Sequence, residues 1–185
     1  MGTPVLQKLY AKILYDYLGW RLEGELPWEH KRLMLVFLPH TSNWDFIIAL
    51  LFIRAERIKV TIFAKDSFHF FPLKYFYGYF GVVPIKRKVS DNFVDQAAAL
   101  YDDGAELWTA MAPEGTRSYK QDLRSGYYYL AKKAGIKISL VGPDFGNKTF
   151  KILPPRDVLE TFEADAQNLI EFSRECSGKI PQHGI

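Results

Sequence analysis

Cysteine, long apolar runs and the common nucleophile and metal signatures are what this chain has least of. Cys176 is its one cysteine among 185 residues, so no disulfide can form within the chain and no thiolate cluster can hold a metal. A reducing compartment fits that count. His30, His69 and His183 stand at no metal-ligand spacing, and no metal is expected. No Gly-x-Ser-x-Gly occurs, which excludes a serine nucleophile elbow. Phe46 to Ile53 is uncharged but less than half the length that a bilayer demands. Phe70 to Ile85 is short, carries Lys74 and is broken by Pro72, Gly78, Gly81 and Pro84. Neither is expected to span a membrane. Lys8, Lys12 and Asp16 interrupt the first apolar positions, so no secretory signal is expected.

What is present is apolar and aromatic. Apolar residues make up 48% of the chain, which argues against disorder, and the length suits one domain, 1–185, with a real core. Most of the 14 Phe, 11 Tyr and 4 Trp must be core, and any surplus suits a pocket or a membrane interface. Net charge is +3 but unevenly spread. Eight basic residues against Glu56 and Asp66 give +6 between Arg54 and Lys88, whereas six acids against Arg174 give −5 between Asp157 and Glu175. The basic middle suits an anionic partner, either nucleic acid, membrane or phosphorylated small molecule, or it is solvated surface.

Strand-like and helical runs alternate. Apolar residues at helical spacing from Val5 to Leu18 predict an amphipathic helix over about 4–18, docked on the core in preference to anchoring in a membrane. Arg32–Leu38, Lys59–Ala64, Gly81–Ile85, Glu106–Met111 and Ile136–Val141 read as strands. Asp45–Ile58, Asp91–Asp103, Tyr127–Ala134 and Glu163–Cys176 read as helices, with Gly104 and Gly135 as stops. This alternation predicts an α/β domain with a largely parallel central sheet flanked by helices, whose binding residues gather at strand exits.

Three polar segments follow predicted strands. In Pro39-His40-Thr41-Ser42-Asn43-Trp44-Asp45, a tight turn could return the Asp45 carboxylate to one imidazole nitrogen of His40 and leave the other free to accept a proton. The same residues also read as a capping box, Ser42 with Asp45, beside a core histidine. Ala112 to Ser118 holds Glu114, Gly115, Thr116 and Arg117, a turn that can present backbone N–H groups and a guanidinium to a phosphate or simply expose an arginine. The third runs from Lys65 to Arg87, with Phe68, Phe70, Phe71, Tyr75, Phe76, Tyr77, Tyr79 and Phe80 between the cations. It suits single-stranded nucleic acid, an acyl chain with an anionic head group, or a packed helix.

Together, in this order, H-x4-D (His40, Asp45), G-V-V-P-I-K-R (Gly81 to Arg87) and P-E-G-T-R-S (Pro113 to Ser118) resemble the motifs of the lysophospholipid acyltransferases. That family includes the 1-acylglycerol-3-phosphate and glycerol-3-phosphate acyltransferases. The resemblance covers about Leu33 to Pro143, and the chain's shortness is similar to a compact bacterial type. It implies an O-acyltransferase in which His40 is the general base and Asp45 orients it. Lys65, Arg87, Gly115, Thr116 and Arg117 fall at positions that hold the acceptor's phosphate, and Glu114 matches the glutamate that shapes this loop. The donor implied is acyl-CoA or acyl-carrier protein, and the acceptor a lysophospholipid. No cofactor, metal or nucleic acid is implied. The protein is expected in the cytoplasm, peripherally on the inner face of an anionic membrane. Pro39 stands where the family commonly has Asn, and its apolar-x-Pro motif appears as Val141-Gly142-Pro143-Asp144. Acylation of another hydroxyl, as in lyso-ornithine lipid, a thioester hydrolase using the same pair, and a non-catalytic binder of anionic membrane are the competing readings.

Overall fold

The computed structural model describes residues 4–65, 78–79, 81–85, 93–114 and 122–183, with backbone alone at 64, 65, 84, 85 and 103. In chain order the elements are α1 (Pro4–Ala11), running directly into a π-helical turn (Lys12–Tyr17), β1 (Arg21–Glu23), β2 (Arg32–Phe37) and α2 (Asn43–Ala55). Then come β3 (Val60–Lys65), β4 (Val82–Ile85), α3 (Phe93–Ala99), β5 (Leu107–Met111), α4 (Gly126–Ala134), β6 (Lys137–Asp144), β7 (Thr149–Ile152), α5 (Phe162–Arg174) and a 3₁₀ turn at Pro181–His183.

Among the described residues one sheet carries all seven strands, in the order β1-β7-β6-β2-β5-β3-β4. Every pairing is parallel except β6 with β7. This is the largely parallel α/β fold predicted from the alternation. From Leu33 onward β2 reads as an unbroken apolar run because both its faces are covered. Met34 and Val36 pack with Tyr101, Tyr127, Leu130 and Phe172 under α3, α4 and α5. Leu33 and Leu35 pack with Phe52, Trp108 and Phe150 on the side of α1 and α2.

Several predicted elements are redrawn. The N-terminal helix is α-helical only to Ala11, and its one fully buried residue, Leu14, lies in the π-helical turn. It docks through Gln7 Nε2, 3.0 Å from the Ala55 carbonyl, and through the Tyr15 hydroxyl, which donates to Glu56. The predicted helix over 91–103 becomes the shorter α3 and a separate 3₁₀ turn. β6 continues past Val141 to Asp144, so the apolar-x-Pro motif is strand. Two strands, β1 and β7, were not foreseen. Within the acidic helix α5, Asp165 is fully buried, paired with Arg156 Nη1 at 2.7 Å and accepting from the Tyr127 hydroxyl at 2.9 Å.

Gly142, the middle residue of the apolar-x-Pro motif, has a packing reason. A Cβ there would fall 2.4 Å from Cys176 Sγ and 3.0 Å from Phe172 Cζ, so α5 rests directly on the β6 backbone. Gly142→Ala should therefore cost about 1–3 kcal/mol by overpacking. Cys176→Ala in the same chain should recover part of it, and urea unfolding of the two variants and the double variant checks this.

Candidate active site

The carboxyl ends of β2 and β5 lie side by side, since Val36 pairs with Met111. From β2 the chain crosses over β5 to reach β3, and from β5 it crosses back over β2 to reach β6. The two connections leave in opposite directions, α2 covering one face and α4 the other. Such a switch point opens a crevice at the strand ends. The turns leaving β2 and β5 carry His40 and Glu114.

The turn after β2 begins with a cis Leu38–Pro39 bond. Ser42 is the N-cap of α2: its Oγ accepts from Trp44 N–H at 3.0 Å, and Asp45 completes the capping box by accepting from Ser42 N–H at 2.6 Å. The same Asp45 oxygen accepts from Thr41 N–H and lies 3.3 Å from His40 Nδ1, within ion-pairing range. The capping reading and the His–Asp pairing are therefore both true of one carboxylate. Asp45 is 4% exposed and the imidazole 23%. Among the described residues Nε2 of His40 has no hydrogen-bond partner, so the ring presents one tethered and one available nitrogen. That is the arrangement a base needs.

Glu114, 3% exposed, binds the same turn from the β5 side: its Oε2 accepts from His40 N–H at 2.7 Å. Oε1 is buried and has no hydrogen-bond partner among the described residues. Burial pushes the Glu114 carboxyl up to about 7; the His40 N–H and imidazole oppose the rise, and the Asp45 charge adds to it.

Lys65 is the last residue of β3, at the same pole of the sheet; its side chain, and Arg87, Gly115, Thr116 and Arg117, lie outside the described residues. So does the aromatic run from Phe68 to Phe80, apart from Tyr79 on the side of Arg54. Trp44 and Ile47 were not singled out in the sequence, yet both project exposed from the first turns of α2 beside His40. Their i, i+3 spacing was a signal available in advance. Among the described residues no three His, Cys, Asp or Glu side chains gather to hold a metal, and no helix is long and apolar enough to cross a membrane. A cavity of about 550 Å³ opens at the opposite pole, where β3 and β5 begin, lined by Gln7, Tyr10, Arg57, Lys59, Val60 and Leu107 among others. It takes no residue from either turn at the crevice.

A family model described as Acyltransferase matches residues 21–142, a span that holds both turns and well over half the chain. The chain belongs to this acyltransferase family. The family expected from the three motifs is thus borne out, and the match begins upstream of the expected Leu33, at β1. In fold the chain is similar to the 1-acyl-sn-glycerophosphate acyltransferase PlsC of Thermotoga maritima, with a TM-score of 0.61, 19% identity, and 92% of this chain and 77% of that one covered. No curated protein sequence matches significantly.

Glu114 makes a pH prediction. A carboxyl raised in the folded state holds a proton that the unfolded chain has lost, so its contribution to stability is full below its ordinary value of 4.5. That contribution is lost as pH rises through about 7. Between pH 4.5 and 8 the wild-type chain should lose on the order of 1–3 kcal/mol relative to Glu114→Gln. Urea midpoints of both proteins across that range test it, and parallel curves would show that Glu114 titrates as an ordinary carboxyl.

Proposed function

We propose that this acyltransferase moves a fatty acyl group from the thioester of acyl-CoA or acyl-carrier protein to the hydroxyl of a lysophospholipid such as 1-acylglycerol-3-phosphate. The observation that carries the proposal is the His40–Asp45 pair, set at a strand exit inside the stretch that the family model matches. The name of the Thermotoga maritima protein supports the choice of acceptor. His40 Nε2 takes the proton of the acceptor hydroxyl as that oxygen bonds to the thioester carbon. The carbonyl oxygen carries the negative charge of the tetrahedral intermediate. On collapse the C–S bond breaks, and the leaving thiolate takes the proton from the imidazolium. Asp45 holds the ring by Nδ1 and balances its charge during the transfer. No covalent enzyme intermediate is needed, because the thioester is already activated.

Lys65, Arg87, Gly115, Thr116 and Arg117 form the proposed seat for the acceptor's phosphate, Arg117 gripping two oxygens at once. Glu114 serves that seat indirectly, by fixing the turn after β5 to the His40 backbone. Peripheral contact with the anionic, cytoplasmic face of a membrane is part of the same proposal. The +6 stretch from Arg54 to Lys88 and the exposed Trp44 and Ile47 support it. Vesicle binding should then rise with anionic lipid and fall at high salt.

The deciding assay combines acyl-CoA or acyl-carrier protein with lysophosphatidic acid, lyso-ornithine lipid or monoacylglycerol, and follows free thiol together with the lipid product by mass spectrometry. Lysophosphatidic acid should be acylated faster than monoacylglycerol of the same chain. Thiol release without any acceptor would instead make the pair a hydrolase. His40→Ala should lower kcat by about 10²–10⁴-fold. Asp45→Asn keeps an oxygen for the Thr41 and Ser42 N–H groups but loses the charge. Its kcat should fall by a similar order, while unfolding stability changes by less than about 1 kcal/mol. Arg117→Ala should reduce kcat/KM for lysophosphatidic acid at least about tenfold, and Arg117→Lys should restore only part, since an ammonium lacks the two-pronged contact. Equal wild-type rates on phosphorylated and unphosphorylated acceptors would refute the phosphate seat.

A further inference from the structure

The segment that follows α5 lies across the turn that carries His40. Thr41, the next residue, is 1% exposed and has every polar group engaged. Its N–H donates to Asp45. Its hydroxyl accepts from Ile180 N–H at 3.2 Å, and its carbonyl is 3.1 Å from His183 Nδ1. A carbonyl oxygen only accepts, so Nδ1 of His183 carries the proton in this contact. Gly178 comes so close that a Cβ there would fall 2.5 Å from Thr41 Cγ2 and 2.8 Å from its Oγ1.

The other end of this segment is fixed independently. Ser177 N–H donates to Asp144 Oδ1 at 3.3 Å, and its carbonyl accepts from Phe145 N–H at 2.8 Å. Asp144 is itself buried at the end of β6 and accepts from Gly146 and Asn147 at 2.9 and 3.2 Å. A continuous set of contacts thus runs from β6 through Ser177, Ile180 and His183 to Thr41, and from Thr41 to the carboxylate that tethers the His40 ring.

We propose that Ser177–His183 is a clasp that positions the His40–Asp45 pair, with Thr41 and His183 as positioning residues that never touch substrate. Glu114 holds the turn at His40 N–H from the β5 side, and the clasp holds it at the Thr41 carbonyl and hydroxyl from the β6 side. A base held only by its own short turn could drift by more than the half-ångström or so that proton transfer tolerates. Gripping both sides of Thr41 removes that freedom. This inference rests on the reading of His40 as the base.

Thr41→Val keeps the N–H bond to Asp45 and the side-chain shape but removes the hydroxyl, whereas Thr41→Ser keeps it. His183→Ala removes the other contact from the clasp side. Each is to be tested for kcat and KM, for melting temperature, and for amide hydrogen exchange of the peptide spanning residues 38–46. Thr41→Val and His183→Ala should lower kcat roughly 5- to 50-fold with KM within twofold and speed exchange in that peptide about tenfold, while Thr41→Ser stays near wild type. Wild-type exchange in both variants, or a loss that Thr41→Ser shares with Thr41→Val, overturns the clasp. If His40→Ala is as active as wild type, the proposed mechanism fails instead, and the exchange data alone then decide whether the clasp holds the turn. His183→Ala serves as the arm that stands if Thr41→Val does not fold.

Discussion

Asp45 is an almost fully buried carboxylate, and burying a carboxylate is costly unless its oxygens are hydrogen-bonded. The turn between β2 and α2 meets that demand with the backbone N–H groups of Thr41 and Ser42. Those two bonds fix the turn, and the fixed turn carries the His40 ring to 3.3 Å from the same oxygen. The side chain that starts the helix is thus the one that orients the histidine. A substitution that spoiled either task would disturb the other, unless, like asparagine, it kept the oxygen and lost only the charge.

Glu114 joins this turn to the rest of the sheet. Because Val36 and Met111 are in register, the residues just past them on β2 and β5 face each other, and Glu114 can reach the His40 amide. The two acids of the crevice have opposite environments. The Asp45 carboxylate is surrounded by donors, whereas Glu114 has one oxygen bonded and one buried without a partner among the described residues. Burial therefore dominates at Glu114 and pushes its proton affinity up. The two nearby carboxyls thus brace one turn from two sides, Asp45 from the start of α2 and Glu114 from the end of β5.

The parts of this architecture that were legible in the sequence rest on strong local signals. β2 was legible because a doubly covered strand is apolar throughout, and α2 because Ser42 and Asp45 form a capping box. The H-x4-D pair was legible as a candidate, but sequence alone set capping against pairing, when the geometry makes one carboxylate do both. β1 escaped because its three residues are all exposed and carry no alternation. β7 escaped because four residues after a turn give too short a pattern. His183 had no readable role, since its contact with Thr41 spans 142 positions and depends on where α5 ends. The burial of Asp165 was not legible, because Arg156 and Tyr127, which enclose it, lie outside that helix.

The placement of charge and exposed apolar groups bears on how a lipid would reach the crevice. The sheet divides the molecule into an α1–α2 side and an α3–α5 side. Trp44 and Ile47 on α2, and Val5 and Leu9 on α1, are exposed on the first side, as are Lys8 within α1 and Lys12 at the start of the π-helical turn. The second side carries the exposed acids Glu163 and Glu171 of α5, which an anionic surface would repel. α2 is about 20 Å long at 1.5 Å per residue and spans the sheet from the cavity pole, where α1 docks, to the crevice. A membrane lying along the α1–α2 side would therefore meet α1 and the rim of the crevice together. On that geometry, docking α1 on the core and using its outer face against lipid are compatible, because the residues that dock it, Gln7 and Tyr15, are not the ones left exposed.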